Sequence, residues 1–118
     1  MPLLFSYGTL QQPKVQLSTF GRLLDGHADT LPAYEPGLVR IEDSGIVAAS
    51  GRTHHANASF TGRVESGVNG TVFDLTDAEL AAADDYERRA SYARVLATLA
   101  SGEQAWVYVH TAAPQAAP

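Results

Sequence analysis

The residues best suited to acid-base chemistry lie in one acidic stretch in the second half of the chain. It reads Asp84-Asp85-Tyr86-Glu87-Arg88-Arg89. Ionised carboxylates in a protein core need partners, so most of these groups must be solvated or paired. If Glu87 turns inward at a helix end, burial raises its pKa toward the working pH, as a group that accepts and donates a proton requires. If it does not, Arg88 and Arg89 make this a salt-bridged helix end without a function.

A second candidate is the turn that follows the opening apolar run. Its residues are Tyr7, Gly8, Thr9 and Leu10. Because Gly8 allows backbone geometries closed to other residues, the amides of the three residues from Gly8 onward could converge on one anion. The alternative is that Gly8 only turns the chain and Thr9 caps the next segment.

The first half of the chain must supply a scaffold for this turn. The apolar run Leu3–Ser6 is typical of a buried central strand. Residues 13–20 begin with proline and stop at Gly21, which predicts one or two helical turns burying Val15 and Phe20. Alternation over residues 27–31 predicts a strand, and the prolines of this segment, Pro32 and Pro36, confine it to a sheet edge. Residues 38–41 predict another short strand.

The second half predicts the support for Glu87. Residues 70–75 have the β-branched and aromatic pattern of a strand. Thr76 and Glu79 then form a helix-start box, and the helix is expected to run to about Tyr86. Two alternating segments around a Ser101-Gly102 turn predict a hairpin over residues 92–99 and 105–109. Strands with few intervening helices indicate an α+β fold.

The middle of the chain is the least informative part. Residues 43–70 are rich in Gly, Ser and Asn, with one apolar run at residues 46–49, and predict a long loop that acts as a lid or a binding loop. His54 and His55 are interpreted as exposed loop histidines or as residues of a lid, and not as metal ligands, since no nearby carboxylate stands at ligand spacing. Residues 112–118 predict a flexible tail, which leaves residues 1–111 as a single domain.

The amino-acid composition limits the kinds of molecule that the protein can bind. With 118 residues, a net charge of -5 and eight basic residues, the chain lacks the cationic face that nucleic-acid binding requires. The absence of cysteine excludes thiolate catalysis and fits a reducing compartment. No apolar run approaches the ~20 residues of a membrane span, and no signal peptide is visible. We expect a cytoplasmic protein that binds neither nucleic acid nor membranes.

Four motifs stand in a characteristic order: residues 4–10, residues 70–75, residues 84–87 followed by Tyr92 and Arg94, and residues 105–109. Together they resemble the gamma-glutamylcyclotransferase superfamily, in its bacterial AIG2-like branch. The resemblance covers both ends of the chain and leaves residues 36–68 unaccounted for. In one respect the sequence departs from the family, because Arg88 stands where a glycine often follows the glutamate.

The resemblance implies a small α+β fold with a mixed, barrel-like β-sheet and a few short helices. It implies cyclisation of a γ-glutamyl amide to 5-oxoproline with release of an amine, without a metal or organic cofactor. Glu87 matches the acid/base carboxylate. Arg94 either pairs with a substrate carboxylate or neutralises Asp84 or Asp85. The substrate-binding residues by this resemblance are Tyr7, Gly8, Thr9, Leu10, Tyr92 and Arg94.

Three functional hypotheses follow. The first is an enzyme that acts on a small molecule with a γ-glutamyl group. The second is a non-catalytic small-molecule binding or regulatory domain on the same fold. The third is a structural or interaction module that meets a protein partner through a sheet edge and the middle segment. Prolines at residues 32–36 guard an exposed strand edge, which favours a monomer or a weak dimer.

Overall fold

The computed structural model describes residues 2–40 and 54–111. These residues form seven strands and two α-helices, and a short 3-10 turn at Thr9–Gln11 follows the first strand. In chain order the elements are β1 (Leu3–Ser6), α1 (Pro13–Phe20), β2 (Gly26–Pro32), β3 (Tyr34–Arg40), β4 (His54–Phe60), β5 (Gly67–Asp74), α2 (Asp77–Arg88), β6 (Tyr92–Thr98) and β7 (Gln104–His110). Within the described ranges, no helix has the length and apolar character needed to cross a bilayer.

Five strands form a mixed sheet in the order β2-β5-β1-β7-β6, and β3 and β4 form a separate two-stranded sheet. Strand β1 runs parallel to β7, whereas the other pairs are antiparallel. The predicted α+β class with a mixed sheet is confirmed. The barrel is not closed, because the five strands of the described ranges form an open sheet with β2 and β6 at its edges.

The two edges of this sheet nevertheless approach each other at one end. The backbone N–H of Ala100, in the turn after β6, donates to the carbonyl of Thr30 in β2 over 2.9 Å. Next to it, His27 Nε2 lies 2.8 Å from Glu103 Oε1, and the Ser101 hydroxyl donates to the Asp29 carboxylate. These contacts tie the edge strand to the β6–β7 turn and curl the sheet.

Strand β1 is the centre of the core, as the sequence predicts. Leu4 and Phe5 are 0% and 1% exposed. Because successive side chains of a strand point to opposite faces, the two residues pack on different sides of the sheet. Leu4 packs in the cluster that includes Leu80 of α2, and Phe5 packs in the cluster that includes Tyr34 of β3. The sheet therefore separates the helix side from the side that β3 and β4 cover.

Helix α2 begins as predicted. The Glu79 backbone N–H donates to Thr76 Oγ1 over 3.0 Å, and the Thr76 N–H donates to Glu79 Oε1 over 2.9 Å. This reciprocal capping box satisfies two of the N–H groups that a helix start leaves unpaired. The helix ends at Arg88, two residues beyond the expected Tyr86. As a result Glu87 lies within the last helical turn.

Helix α1 also has its predicted bounds, and Gly21 closes it with φ 74° in the left-handed region. Its buried residue is Gln16, whereas the predicted Val15 and Phe20 are half-buried. The Gln16 side-chain amide donates to the Leu10 carbonyl and accepts from the Leu24 N–H, each over 2.9 Å. A buried amide with both ends paired costs little.

The predicted loop over residues 43–70 is wrong in two places, since residues 54–60 form β4 and residues 67–70 begin β5. Strand β4 pairs with β3 from Tyr34 opposite Phe60 to Arg40 opposite His54. His54 and His55 thus lie on a strand and not in a loop. The apolar run at residues 46–49 and the predicted tail at residues 112–118 lie outside the described residues.

Candidate functional site

Glu87 turns inward at the end of α2. Its side chain is half-buried, and burial raises the pKa of its carboxyl from 4.5 to about 7. Burial is also the largest cause of the raised pKa of the hydroxyls of Tyr7, Tyr92 and Tyr108, and the charge of Glu87 adds to it at all three. The carboxylate therefore lies close to tyrosines from β6, β7 and the turn after β1.

The other charged side chains of this helical turn are paired elsewhere. Arg88 Nη1 lies 3.0 Å from Asp85 Oδ1, and both side chains are exposed. Among the described residues, no arginine or lysine forms an ion pair with Glu87. The salt-bridged helix end considered from the sequence is thus formed by Asp85 and Arg88, and Glu87 is not part of it.

The turn after β1 is held by its own carbonyl groups. The Gly8 carbonyl accepts from the Gln11 N–H over 3.1 Å, and the Thr9 carbonyl accepts from the Gln12 N–H over 2.9 Å. The Gly8 N–H makes a long contact of 3.4 Å to Ser6 Oγ. Within residues 2–40 and 54–111, the N–H groups of Thr9 and Leu10 have no acceptor. Two adjacent amides are thus available to a bound anion or carbonyl oxygen.

A hydrogen bond that no sequence motif predicts joins this turn to the acidic helix. Thr9 Oγ1 lies 2.7 Å from the Tyr86 hydroxyl. Tyr86 immediately precedes Glu87, so the contact holds the turn after β1 against the last turn of α2. The structure therefore brings the two candidate regions of the sequence together.

Tyr7 and Tyr92 lie near Glu87, but each hydroxyl donates a hydrogen bond to a backbone carbonyl. The Tyr7 hydroxyl donates to the Tyr108 carbonyl over 2.5 Å. The Tyr92 hydroxyl donates to the Ala56 carbonyl over 2.6 Å. These bonds join β7 to the turn and β6 to β4, and so they fix the walls around Glu87. A contact of either tyrosine with a substrate stays a prediction.

Arg94 lies beside Asp84 and not beside Glu87. Its Nε is 3.5 Å from Asp84 Oδ1, and its guanidinium lies over the Trp106 ring at 4.5 Å. Asp84 Oδ1 also accepts from the Tyr108 hydroxyl over 2.7 Å. Of the two roles considered from the sequence, the structure contains the neutralisation of Asp84. A contact between Arg94 and a substrate stays a prediction.

Sequence reasoning also missed Gln11. Its side-chain Nε2 donates to the Gly8 carbonyl over 3.3 Å, and its Oε1 accepts from the Thr71 hydroxyl over 2.9 Å. Thr71 lies on β5, so this side chain ties the turn to the sheet. The contact spans residues that are distant in sequence, and no local pattern indicates it.

One group of side chains has the composition of a metal site. Ligand atoms of His27, Asp29 and Glu103 lie within 4.8 Å of one another. His27 and Glu103 are hydrogen-bonded to each other, and the Asp29 carboxylate accepts hydrogen bonds from the Ser101 hydroxyl and the Thr30 N–H. These contacts connect β2 to the turn between β6 and β7, so the cluster has a structural role at the sheet edges. The cluster is not part of the Glu87 site.

This architecture is that of a known protein family. The family model for gamma-glutamyl cyclotransferase, AIG2-like, matches residues 4–118. The chain belongs to this family. The resemblance inferred from the four motifs is thereby confirmed, and the bacterial branch stays a prediction. No curated protein matches the sequence of this AIG2-like protein.

Solved structures have the same fold as this AIG2-like protein. A protein from Arabidopsis thaliana has 22% identity and a TM-score of 0.71 over 92% of this chain and 61% of its own. A structure named gamma-glutamyl cyclotransferase has 12% identity and a TM-score of 0.71 over 92% of this chain and 66% of its own. A human protein has 17% identity and a TM-score of 0.68, with coverages of 94% and 67%. The chain thus spans about three fifths of the Arabidopsis protein, and the likeness shows the fold.

Proposed function

We propose that this AIG2-like protein is a γ-glutamylcyclotransferase, which converts a small γ-glutamyl amide to 5-oxoproline and releases an amine. The observation that carries the proposal is the inward-facing Glu87, whose pKa of about 7 matches the proton transfers of this reaction. A carboxyl with that pKa is ionised in about half of the molecules at neutral pH, so it can both take and return a proton.

In the proposed reaction, the α-ammonium of the γ-glutamyl group first gives a proton to the Glu87 carboxylate. The freed amine then attacks the γ-carbonyl carbon of the same molecule, and a C–N bond forms. Because both reacting groups belong to one molecule, the protein has only to hold a folded conformer in which they meet.

The carbonyl oxygen gains negative charge during this attack. We assign the stabilisation of that charge to the backbone N–H groups of Thr9 and Leu10, which have no acceptor in the described part of the chain. Amides that are already in place need no reorganisation at the moment of reaction, which is the main advantage of an oxyanion site. The hydrogen bond between Thr9 and Tyr86 holds this turn against the end of the helix that carries Glu87.

The tetrahedral intermediate then collapses. Protonated Glu87 gives its proton to the departing amide nitrogen, and the bond to that nitrogen breaks as the oxyanion re-forms the carbonyl. The regenerated Glu87 carboxylate then takes the second proton from the ring nitrogen and passes it to the released amine, which leaves as an ammonium. Tyr7, Tyr92 and Tyr108 keep their own protons, since burial raises the pKa of each hydroxyl. They form a neutral wall that excludes water from the carboxylate. The steps involve no redox change, and the proposal includes no cofactor.

The test is release of 5-oxoproline from a panel of γ-glutamyl amino acids and γ-glutamyl amines. We expect turnover by the wild type, a loss of at least ~100-fold in Glu87→Gln, and wild-type turnover in Asp85→Asn. Asp85 is a suitable control because its carboxylate is on the same helical turn, exposed and paired with Arg88. Equal rates for wild type and Glu87→Gln would remove Glu87 from the chemistry. Binding without turnover would instead support the regulatory domain.

The cellular setting is also a proposal. Zero cysteines fit the reducing cytoplasm, and the proline-guarded edge fits a monomer or a weak dimer. Fractionation of cells and sedimentation of the purified protein would test these two points.

A further inference from the structure

The Gln11 side chain acts on the peptide group between Gly8 and Thr9. The carbonyl of this peptide group accepts two hydrogen bonds, from the Gln11 backbone N–H over 3.1 Å and from Gln11 Nε2 over 3.3 Å. Both donors belong to one residue, so the carbonyl is held from one side only. Its direction therefore depends on where Gln11 lies.

The same peptide group contains the N–H of Thr9. A peptide bond is planar, and in its trans form the C=O and the N–H point in opposite directions. The structure has no cis peptide bond in the described residues. Whatever holds the Gly8 carbonyl therefore also directs the Thr9 N–H to the opposite side, where the described part of the chain offers it no acceptor.

Thr71 fixes the orientation of the Gln11 amide. The Thr71 hydroxyl donates to Gln11 Oε1 over 2.9 Å, which leaves Nε2 to face Gly8. The opposite orientation would place Oε1 against the Gly8 carbonyl, and two acceptors cannot share a hydrogen bond. Gln11 is half-buried, so water is a weaker competitor for these bonds than it is at the surface.

We propose that Gln11, oriented by Thr71, is a positioning residue that aims the Thr9 N–H at the γ-carbonyl oxygen of the substrate. The proposal rests on the proposed function. Gln11 itself touches no reacting atom, and its effect reaches the substrate through one peptide plane. If the Thr9 N–H points in another direction, it is still close enough to contact the substrate. It is then less able to stabilise the negative charge that develops on the γ-carbonyl oxygen.

The kinetic test compares Gln11→Met with Gln12→Met. Methionine keeps the length of glutamine without its hydrogen bonds, and Gln12 is the exposed neighbour, whose side chain makes no cap bond. We expect Gln11→Met to lower kcat roughly five- to tenfold with KM nearly unchanged, because the bond to the oxyanion is made only in the transition state. Gln12→Met is expected to match the wild type. A fall in KM and kcat alike, or no fall, would overturn the proposal.

Thr71 supplies a second pair of variants. Thr71→Val removes the hydroxyl and is expected to lower kcat, whereas Thr71→Ser keeps the hydroxyl and is expected to retain it. Because both side chains act through one hydrogen-bonded unit, Gln11→Met combined with Thr71→Val should lose no more than Gln11→Met alone. Fully additive losses would show that Gln11 and Thr71 act separately and would contradict the proposal.

A measurement without turnover separates this proposal from the proposed function. The residual dipolar coupling of the Thr9 N–H reports the direction of that bond in solution. We expect it to change in Gln11→Met and in Thr71→Val while couplings of α2 and the strands stay the same. If the wild type cyclises no member of the panel, the proposed function fails, and this coupling still decides whether Gln11 sets the direction of the amide. An unchanged coupling would refute the positioning role.

Discussion

Replacing Glu87 by glutamine should make the protein more stable at neutral and alkaline pH. In the folded protein, burial raises the pKa of the Glu87 carboxyl to about 7, whereas its ordinary value is 4.5. Below pH 4.5 the carboxyl is protonated in both the folded and the unfolded chain, so it contributes no difference. Between 4.5 and 7 the folded chain binds the extra proton, and the free energy of unfolding falls as the pH rises.

The size of this effect follows from the two pKa values. The difference between 4.5 and about 7, at about 1.4 kcal/mol for each pH unit, corresponds to about 3 kcal/mol. Glutamine has nearly the same shape and carries no charge, so Glu87→Gln should avoid this cost. We expect the variant to exceed the wild type by about 1–3 kcal/mol at pH 8 and to be close to it at pH 4.5, because the side chain is half-buried and part of the cost is screened.

Urea denaturation of both proteins at a series of pH values from 4.5 to 8.5 would measure this difference. Other groups that titrate in the range are common to the two proteins and cancel when the variant is compared with the wild type. Asp85→Asn removes an exposed carboxylate from the same helical turn and should give a difference that depends little on pH. A Glu87→Gln difference that is constant with pH would show that the carboxylate is not desolvated and would remove the basis of the proposed acid/base role.

Two further predictions concern the rate and the sheet. The kcat/KM of the wild type should rise with pH as Glu87 ionises, and the midpoint of this rise should lie near pH 7. A midpoint near pH 4.5 in the pH–rate profile would contradict the raised pKa. Gly70→Ala should destabilise the protein by at least about 2 kcal/mol in urea denaturation, because a Cβ there would lie 2.4 Å from the Ser6 carbonyl oxygen and 2.6 Å from the Phe5 ring. Gly37→Ala is the control, since nothing lies within 4 Å of its added Cβ, and equal losses for the two variants would refute the steric argument.

The parts of the fold that the sequence predicts well are those whose signals are local. The capping box of Thr76 and Glu79 places the start of α2 at the observed residue. The turn at Ser101 and Gly102 places the β6–β7 hairpin, and Gly21 closes α1 in the conformation that glycine favours. In each case the residues that decide the structure are within a few positions of one another.

The parts that the sequence predicts poorly depend on distant partners. Strand β4, at residues 54–60, has little β-branched or aromatic character, and its extended form depends on pairing with β3 and on the bond from Tyr92 to Ala56. The same is true of the candidate site. The motifs single out Glu87 and the turn, but only the fold brings Thr9 to Tyr86 and Gln11 to Thr71.

The position of β1 has a consequence for how the chain acquires its fold during synthesis. Leu4 and Phe5 pair with Trp106 and Val107, so the first strand of the described ranges is completed by the last strand of those ranges. At 5–20 residues per second, a ribosome leaves this strand waiting on the order of 10 s for its parallel neighbour. Until then Leu4 and Phe5 form part of an unpaired apolar edge, which is the kind of surface that other nascent chains can join. We therefore expect a message cut short before β7 to yield aggregates and not a partly stable, soluble protein.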